Sequence, residues 1–555
     1  MDREMSIRRR WWREPQLFCL VVVVFLGHFF RLDELSLRGE ETHRGGIGIE
    51  MLRSGDWLVP RMQGEAVFFR PPLQNWMIGV SCWLHGETSA WAIRLPGALA
   101  VLLTALLLYG YCRNFLSAIG AFCAGAAFAT MLQILELGRL AETESLFMLF
   151  VSGALLTWHW GYVCGWADWK MWSAAYLLAG LGMLTKGTQA PVYLVAGTGV
   201  FLMCTGQLRR FFRPAHLAGL LTFSVVFGAW FVPYFLTMGA RASHLIVFGE
   251  AGMRLTEGFS KLAAHLLEFP LNTLACTLPW SLALLVYLSR DFRAGLGEAR
   301  PLAIFCAACV LATFPSCWFI PAAVPRYWLP MYPCLAPLIG VVAQRRLEAW
   351  DGMPQRRRFS AWLNLAAVVM VATALASLAS ALPFGPVAAY RQPVAWAIGL
   401  GLAVSVLGYV TLTTCRARTI APVFALSCFV ALCSSIWFVN HRLAQSFDIA
   451  AAADHHQLLP PGARLVSFGR IHHRFVYFHA APIERIPWPE EPRLPPGVTH
   501  FCFNATDPRR PPFLWQRVAV IDCDRYPSGR IGDCVVIGKI VEPRDDWTSK
   551  PLVLR

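Results

Sequence analysis

The chain has 555 residues, 56% hydrophobic and only 15% charged, and its 49 Lys and Arg against 34 Asp and Glu give a net charge of +15. A soluble globular chain holds about 45–50% apolar and about 25% charged residues. This composition therefore excludes a disordered chain, a coiled coil and a small disulfide scaffold. It points to a protein of the lipid bilayer, where basic charge is first a sign of topology, and no nucleic-acid partner is expected.

Taken in chain order, the first apolar run, Leu17–Phe30, follows Arg8, Arg9, Arg10 and Arg13 and lacks a small-residue cleavage site, so it reads as a signal anchor. Thirteen spans of mostly apolar residues are predicted near 15–32, 94–112, 116–136, 145–163, 171–186, 188–205, 215–237, 272–289, 301–320, 326–343, 360–382, 393–413 and 419–439. The stretch LQNWMIGVSCWL, residues 73–84, is left out: it is short, and Trp76 and Trp83 suit a helix lying in the interface. With the N-terminus in the cytoplasm, the inner segments hold 20 basic and 8 acidic residues, while the short outer loops carry isolated cations. That is the asymmetry the positive-inside rule demands. The expectation is an all-α polytopic membrane protein with about 13 transmembrane helices and a C-terminal soluble α/β domain.

Two outer loops are long, 31–93 and 238–271, within a membrane domain spanning 1–440. From residue 441 to 555 the composition turns to Pro, Arg and Asp, and short alternating runs predict strands at Arg464–Phe468, Arg474–Phe478, Val518–Ile521 and Cys534–Ile540 of a domain outside the membrane. Most of the 17 cysteines sit in or beside the spans as small hydrophobes; Cys502, Cys523 and Cys534 in the tail allow one disulfide. The doublets His455–His456 and His472–His473 have no Cys partners at metal spacing and read as surface or packing residues.

Ionisable residues near span ends are costly unless paired or functional, and on the outer face they cluster. Glu40 and Glu41 follow the first span, with Arg38, His43 and Arg44 nearby. Adjacent carboxylates could supply a general base; equally, they could cap the helix over Thr42–Arg53. Arg139, Glu142 and Glu144 lie on the short turn between the third and fourth spans. Lys186 sits on a tight outer turn, and Arg326 and Tyr327 open a span on the same face. Together with Arg70 of the first loop, Lys186 and Arg326 supply cations from three separate elements at one depth, as an anionic phosphate at the boundary would require. Glu250, Arg254, Glu257 and Lys261 in the second long loop fit either an interfacial helix or a lid. There is no Walker A motif and no Rossmann glycine fingerprint.

The stretch RGEETHRGGIGIEMLRSGDWLVPRMQGEAVFFRPPLQNW, then GRLAETESLF, LAGLGMLTKGTQAPVYL, the Pro279–Trp280 pair and PRYWLPMYPCLAPL resemble, in order and spacing, the dolichyl-phosphate-mannose-protein mannosyltransferase superfamily. The likeness covers roughly residues 15–345 and is greatest to the bacterial branch of aminoarabinose transferases that modify lipid A. It implies the type C glycosyltransferase fold in a bacterial inner membrane, a polyprenyl-phosphate-linked sugar as donor, and a lipid or protein acceptor. By position it makes Glu40, Glu41 and Glu144 the catalytic acids and Arg70, Lys186 and Arg326 substrate-binding cations; Tyr327, Arg139 and Glu250, from the same clusters of ionisable and polar residues, are added as substrate-binding candidates. Two positions associated with a metal in that branch are Phe69 and Ala251 here, neither with a donor atom, so no divalent metal or other cofactor is carried over. His43-Arg44-Gly45-Gly46 replaces the commoner Arg-Tyr-Ala. A protein O-mannosyltransferase is an alternative within this class. A transporter or flippase is one outside it, but charges crowd the outer span ends and no internal repeat shows.

Overall fold

The computed structural model describes residues 11–30, 32–33, 36–256, 262–349, 452–454, 458–479, 483–490, 495–523 and 534–541, with the backbone alone for 250–256 and 347–349. The three spans predicted between 360 and 439 lie outside the described residues, as do Arg8, Arg9 and Arg10.

Helix α1 is Pro15–His28, opened by Pro15 with its φ preset for the first turn. The first long loop, between α1 and the next long helix, holds α2 (Glu41–Ser54), the small hairpin β1–β2 (Arg61–Met62, Glu65–Ala66) and α3 (Leu73–His85). Gly55 closes α2 in the left-handed conformation, at φ 75°. The 73–84 stretch is thus a 13-residue helix packed on α2, where Asn75 Nδ2 donates to the Arg44 carbonyl at 3.0 Å.

Next come α4 (Ala90–Cys112), α5 (Ala118–Ala129), α6 (Leu132–Leu137), α7 (Thr143–Val163), α8 (Asp168–Lys186), α9 (Gln189–Cys204), α10 (Pro214–Thr256), α11 (Leu262–Cys276), α12 (Arg300–Thr313) and α13 (Tyr332–Ala349). Ser89 caps α4 by accepting from the Ala92 amide at 3.3 Å. Among the described residues four helical runs are long and apolar enough to cross a membrane, or five if one bent pair counts as a single span; three shorter apolar helices are α1, α5 and α9. Their buried faces form one core that includes Leu20, Tyr109, Phe122, Phe147, Trp158 and Phe305.

Two predicted spans are not continuous helices. The 116–136 span breaks at Thr130 between α5 and α6. The 272–289 span bends by 115° between α11 and a 3-10 segment, Trp280–Leu288. The two breaks satisfy each other: Trp280 Nε1 donates to Thr130 Oγ1 at 2.9 Å, and the Leu132 amide to the Leu278 carbonyl at 3.2 Å. Interrupted backbone at membrane depth is tolerated only with such partners. Gly239, at φ 79°, similarly divides α10.

The C-terminal domain is a five-stranded sheet in the order β4-β3-β5-β7-β6, from β3 (Arg464–Phe468), β4 (Glu484–Ile486), β5 (Val498–Asn504), β6 (Trp515–Asp522) and β7 (Cys534–Ile540). β3 runs parallel to β4 and β5, while β7 is antiparallel to β5 and β6. The predicted strand at Arg474–Phe478 is instead a short helix, α14 (His473–Phe478). Its aromatic alternation looked strand-like, but the His472 side chain caps it by accepting from the Arg474 amide, and Phe475 is buried in the domain core. Cys502 and Cys523 are buried thiols rather than a disulfide.

Helix α4 crosses the α6–α7 turn closely at Gly97, where a Cβ would stand 2.6 Å from the Leu140 carbonyl oxygen. Gly97→Val should lower the stability of the purified protein by about 1–3 kcal/mol, read as a drop in unfolding temperature. Gly228→Ala, where a Cβ meets nothing within 4 Å, should not lower it.

Candidate active site

The first loop enters α2 through two adjacent carboxylates whose surroundings are opposite. Glu41 is fully buried. It accepts from Arg94 Nε at 2.7 Å and Arg94 Nη2 at 2.8 Å, and from the amides of Ala141 and Arg38 at 3.0 and 2.9 Å. Burial alone would raise its pKa, but Arg94 and the two amides outweigh that and hold the carboxyl below its ordinary value. Arg94 also donates to the carbonyls of Leu32 and Ser36. Glu41 is thus a brace joining the first loop, α4 and the α6–α7 turn.

Glu40, one residue earlier, is half exposed. Its Oε2 lies 3.1 Å from His43 Nδ1 and 3.9 Å from Arg44 Nη2. The hydrogen bond from His43, against the opposing effect of partial burial and with help from Arg44, keeps Glu40 ionised far below the usual carboxylate range. Burial in turn lowers the pKa of His43, only partly offset by Glu40, so its imidazole is neutral at physiological pH. Phe69 sets its ring edge against His43 at 5.9 Å, and the next residue is Arg70.

The three predicted cations are gathered by the α6–α7 turn. Arg70 Nη1 donates to Thr143 Oγ1 at 2.7 Å, and that hydroxyl lies 3.3 Å from Glu144 Oε2. Lys186 Nζ meets Glu144 Oε1 at 3.0 Å, with both side chains buried. Arg326 Nη1 meets Glu142 Oε2 at 3.2 Å. The Tyr327 ring lies 5.2 Å from Lys186 Nζ and 5.7 Å from the Arg326 guanidinium carbon. Three cations against two carboxylates leave this cluster at +1. Lys186 is delivered by an abrupt helix end: Gly187, at φ 118° and ψ −156°, occupies a region open essentially to glycine alone.

Glu142 joins the two halves of the site, because a Cβ on Gly39 would stand 3.7 Å from its Oε1. It was visible in the sequence only as one acid of the GRLAETES turn. Arg94, hidden at the start of an apolar run, and Gln189, which donates to the Tyr327 carbonyl at 3.0 Å, carried no signal. Arg139 stands apart from the cations, donating to the Phe30 carbonyl at 2.8 Å. The Glu250 side chain lies outside the described residues. Phe69 offers no donor atom, and among the described residues no group of three or more His, Cys, Asp or Glu is disposed to hold a metal ion.

The family model described as dolichyl-phosphate-mannose-protein mannosyltransferase matches residues 69–232, the segment that runs from Phe69 and Arg70 through Glu144 and Lys186. Over that segment the chain is similar to this superfamily. It is 26% identical over 333 residues to an undecaprenyl phosphate-alpha-4-amino-4-deoxy-L-arabinose arabinosyl transferase of Yersinia enterocolitica, covering 57% of this chain and 56% of that one. A counterpart of the same description from Aeromonas salmonicida is 25% identical over 373 residues, 64% of this chain and 63% of its own. The chain thus spans little more than half the length of these two relatives. Among solved structures, ArnT from Cupriavidus metallidurans bound to undecaprenyl phosphate superposes with a TM-score of 0.68 at 21% identity, covering 96% of this chain and 99% of that one. The fold is therefore shared over nearly the whole length.

Arg94→Met strands a buried carboxylate and should cost about 3–5 kcal/mol of stability. The Glu41 contribution has a defined pH window. Its folded pKa is depressed, so the stabilisation is present above the ordinary value of 4.5 and is lost as pH falls through the folded value. In thermal unfolding, Glu41→Gln should therefore be destabilised at neutral pH, and its gap to wild type should narrow below about pH 4.5.

Proposed function

We propose that this chain is an integral-membrane glycosyltransferase that moves a sugar from a polyprenyl-phosphate carrier to a lipid A-like acceptor outside the cytoplasmic membrane, with inversion at the anomeric carbon. The observation that carries the reading is the convergence of Arg70, Lys186 and Arg326, from three elements, on one acidic turn beside a half-exposed, ionised Glu40. Support for the donor class also comes from the relatives' names, which specify undecaprenyl phosphate.

In this reading the three cations receive the carrier phosphate. As the bond between the anomeric carbon and the phosphate oxygen breaks, its electron pair stays on the phosphate, and the cluster's positive charge stabilises it. Tyr327 holds Lys186 and Arg326 against one ring face. Glu144 and Glu142 orient the cations, and Arg139 braces the end of α1. Glu40 is ionised too firmly to be a strong base. It orients the acceptor oxygen, accepts a hydroxyl proton where the acceptor brings one, and offsets positive charge developing on the sugar. Glu41, with both oxygens committed, positions Glu40. Glu250 is retained as a substrate-binding residue of the second long loop. The same proposal keeps thirteen spans, a membrane domain to residue 440, an extracytoplasmic domain after it and a cytoplasmic N-terminus.

Glu40→Gln should lower transfer in membranes supplied with an undecaprenyl-phosphate sugar by about 100- to 10,000-fold, and Arg326→Ala should weaken carrier binding by about 10- to 100-fold. Full activity in Glu40→Gln would overturn the assignment. In a deletion strain, mass spectrometry should find a sugar missing from lipid A; a loss confined to exported proteins would instead indicate a protein O-mannosyltransferase.

A further inference from the structure

Among the contacts between the C-terminal domain and the first loop, one falls at the candidate site. His473, the first residue of α14, places Nδ1 2.8 Å from Thr42 Oγ1 on α2. Its ring lies 5.2 Å from the His43 ring, tilted by 31°. His43 is the residue bonded to Glu40. Its other nitrogen, Nε2, is buried with no hydrogen-bond partner among the described residues. One hydrogen bond does not fix an imidazole, which can rotate to present either nitrogen. The rings of Phe69 and His473 both pack against this ring.

His473 is itself held firmly. The His472 side chain caps α14, and its amide donates to Asn504 Oδ1 at 3.1 Å, while Asn504 Nδ2 returns a bond to the Arg470 carbonyl at 2.9 Å. The Ile471 amide donates to Gln63 Oε1 of the first loop at 3.2 Å, and Arg485 pairs with Glu65 of β2. Burial, helped by His472 and His43, pushes the His473 pKa down to about 3. In the neutral imidazole Nδ1 can accept the Thr42 hydroxyl, which also lies 3.4 Å from the Gly39 carbonyl oxygen, or donate to it, as the tautomer sets. A cavity of about 550 Å³, lined in part by Thr42, Glu50, Arg53, His473 and Tyr477, adjoins this contact and gives small reagents a route to it.

We propose that His473 is a positioning residue for Glu40, acting through His43 and Thr42, so that docking of the C-terminal domain completes the active site. The inference rests on the glycosyltransferase reading for its catalytic consequence, but its geometric half stands without it. Removing the His473 ring leaves His43 free to turn, and Glu40 loses its fixed donor. Misplacement of a reacting group by about 1 Å can cost about 100-fold in rate.

The full-length protein in membranes, with His473→Ala, His473→Asn and Thr42→Val variants, tests this with two readouts. Diethylpyrocarbonate labelling, mapped by mass spectrometry, reports the enclosure of His43. Transfer from an undecaprenyl-phosphate sugar reports kcat and KM for the carrier. His473→Ala should raise His43 labelling severalfold and lower kcat by about 10- to 100-fold with KM for the carrier unchanged. His473→Asn, whose amide oxygen can replace Nδ1 as acceptor, should recover part of both, and Thr42→Val should resemble His473→Ala in milder form. Unchanged His43 labelling in His473→Ala, or in Thr42→Val should the alanine variant not accumulate, overturns the proposal. So does a wild-type kcat in His473→Ala. If the wild type shows no transfer, the glycosyltransferase reading fails and the labelling arm alone decides the geometric claim.

Discussion

The buried pair between Glu41 and Arg94 is the constraint on which the outer half of the molecule depends. Two charges have been taken out of water at a cost only their geometry offsets: two guanidinium donors, two backbone amides and two carbonyls leave none of the partners idle. Because those groups come from the connection after α1, from α4 and from the α6–α7 turn, one pair fixes the relative placement of three segments. It also settles which of two neighbouring acids faces outward. With Glu41 turned inward, Glu40 is left half exposed, next to Gly39, whose backbone approaches Glu142.

The cation cluster obeys a different logic. Lys186 and Glu144 are both buried, and such a pair is a weak source of stability. Its use is orientation. Glu144 and Glu142 share a short turn, and each draws in a cation from a distant part of the chain, while Arg70 reaches the same turn through the Thr143 hydroxyl. The acids hold Lys186 and Arg326 in place yet leave the set positive overall, so an incoming anion meets donors already arranged. Preorganisation of this kind avoids reorganising the site as negative charge develops.

Much of this was legible in the chain itself, because bilayer physics is strict. Apolar runs announced the apolar helices that are described, four of them long enough to cross a membrane, and Arg70, Lys186 and Arg326, expected to lie together, do meet at the α6–α7 turn. The sequence was silent where the deciding partner is remote. His473 meets Thr42 across 431 residues, and no local pattern distinguishes that histidine from its neighbour. Arg94 looked like the polar edge of a span. The breaks at Thr130 and near Pro279 were hidden because hydropathy measures transfer from water, not continuity of the hydrogen-bond ladder. At Arg474–Phe478 the alternation suggested a strand, but a side-chain cap and the burial of Phe475 made a helix.

The adjacency of Glu40 and Glu41 at a helix start has a consequence for how this loop can change. Successive residues on a helix point about 100° apart, so the two acids are distinguished only by phase. Replacing side chains in the segment before α2 leaves that phase intact. Arg94 holds the Leu32 and Ser36 carbonyls and Glu41 holds the Arg38 amide, so adding or removing one residue among them would pull these groups out of register with the buried pair. The connection is therefore tolerant of composition and intolerant of length, and its residue count belongs to the active site as much as any side chain does.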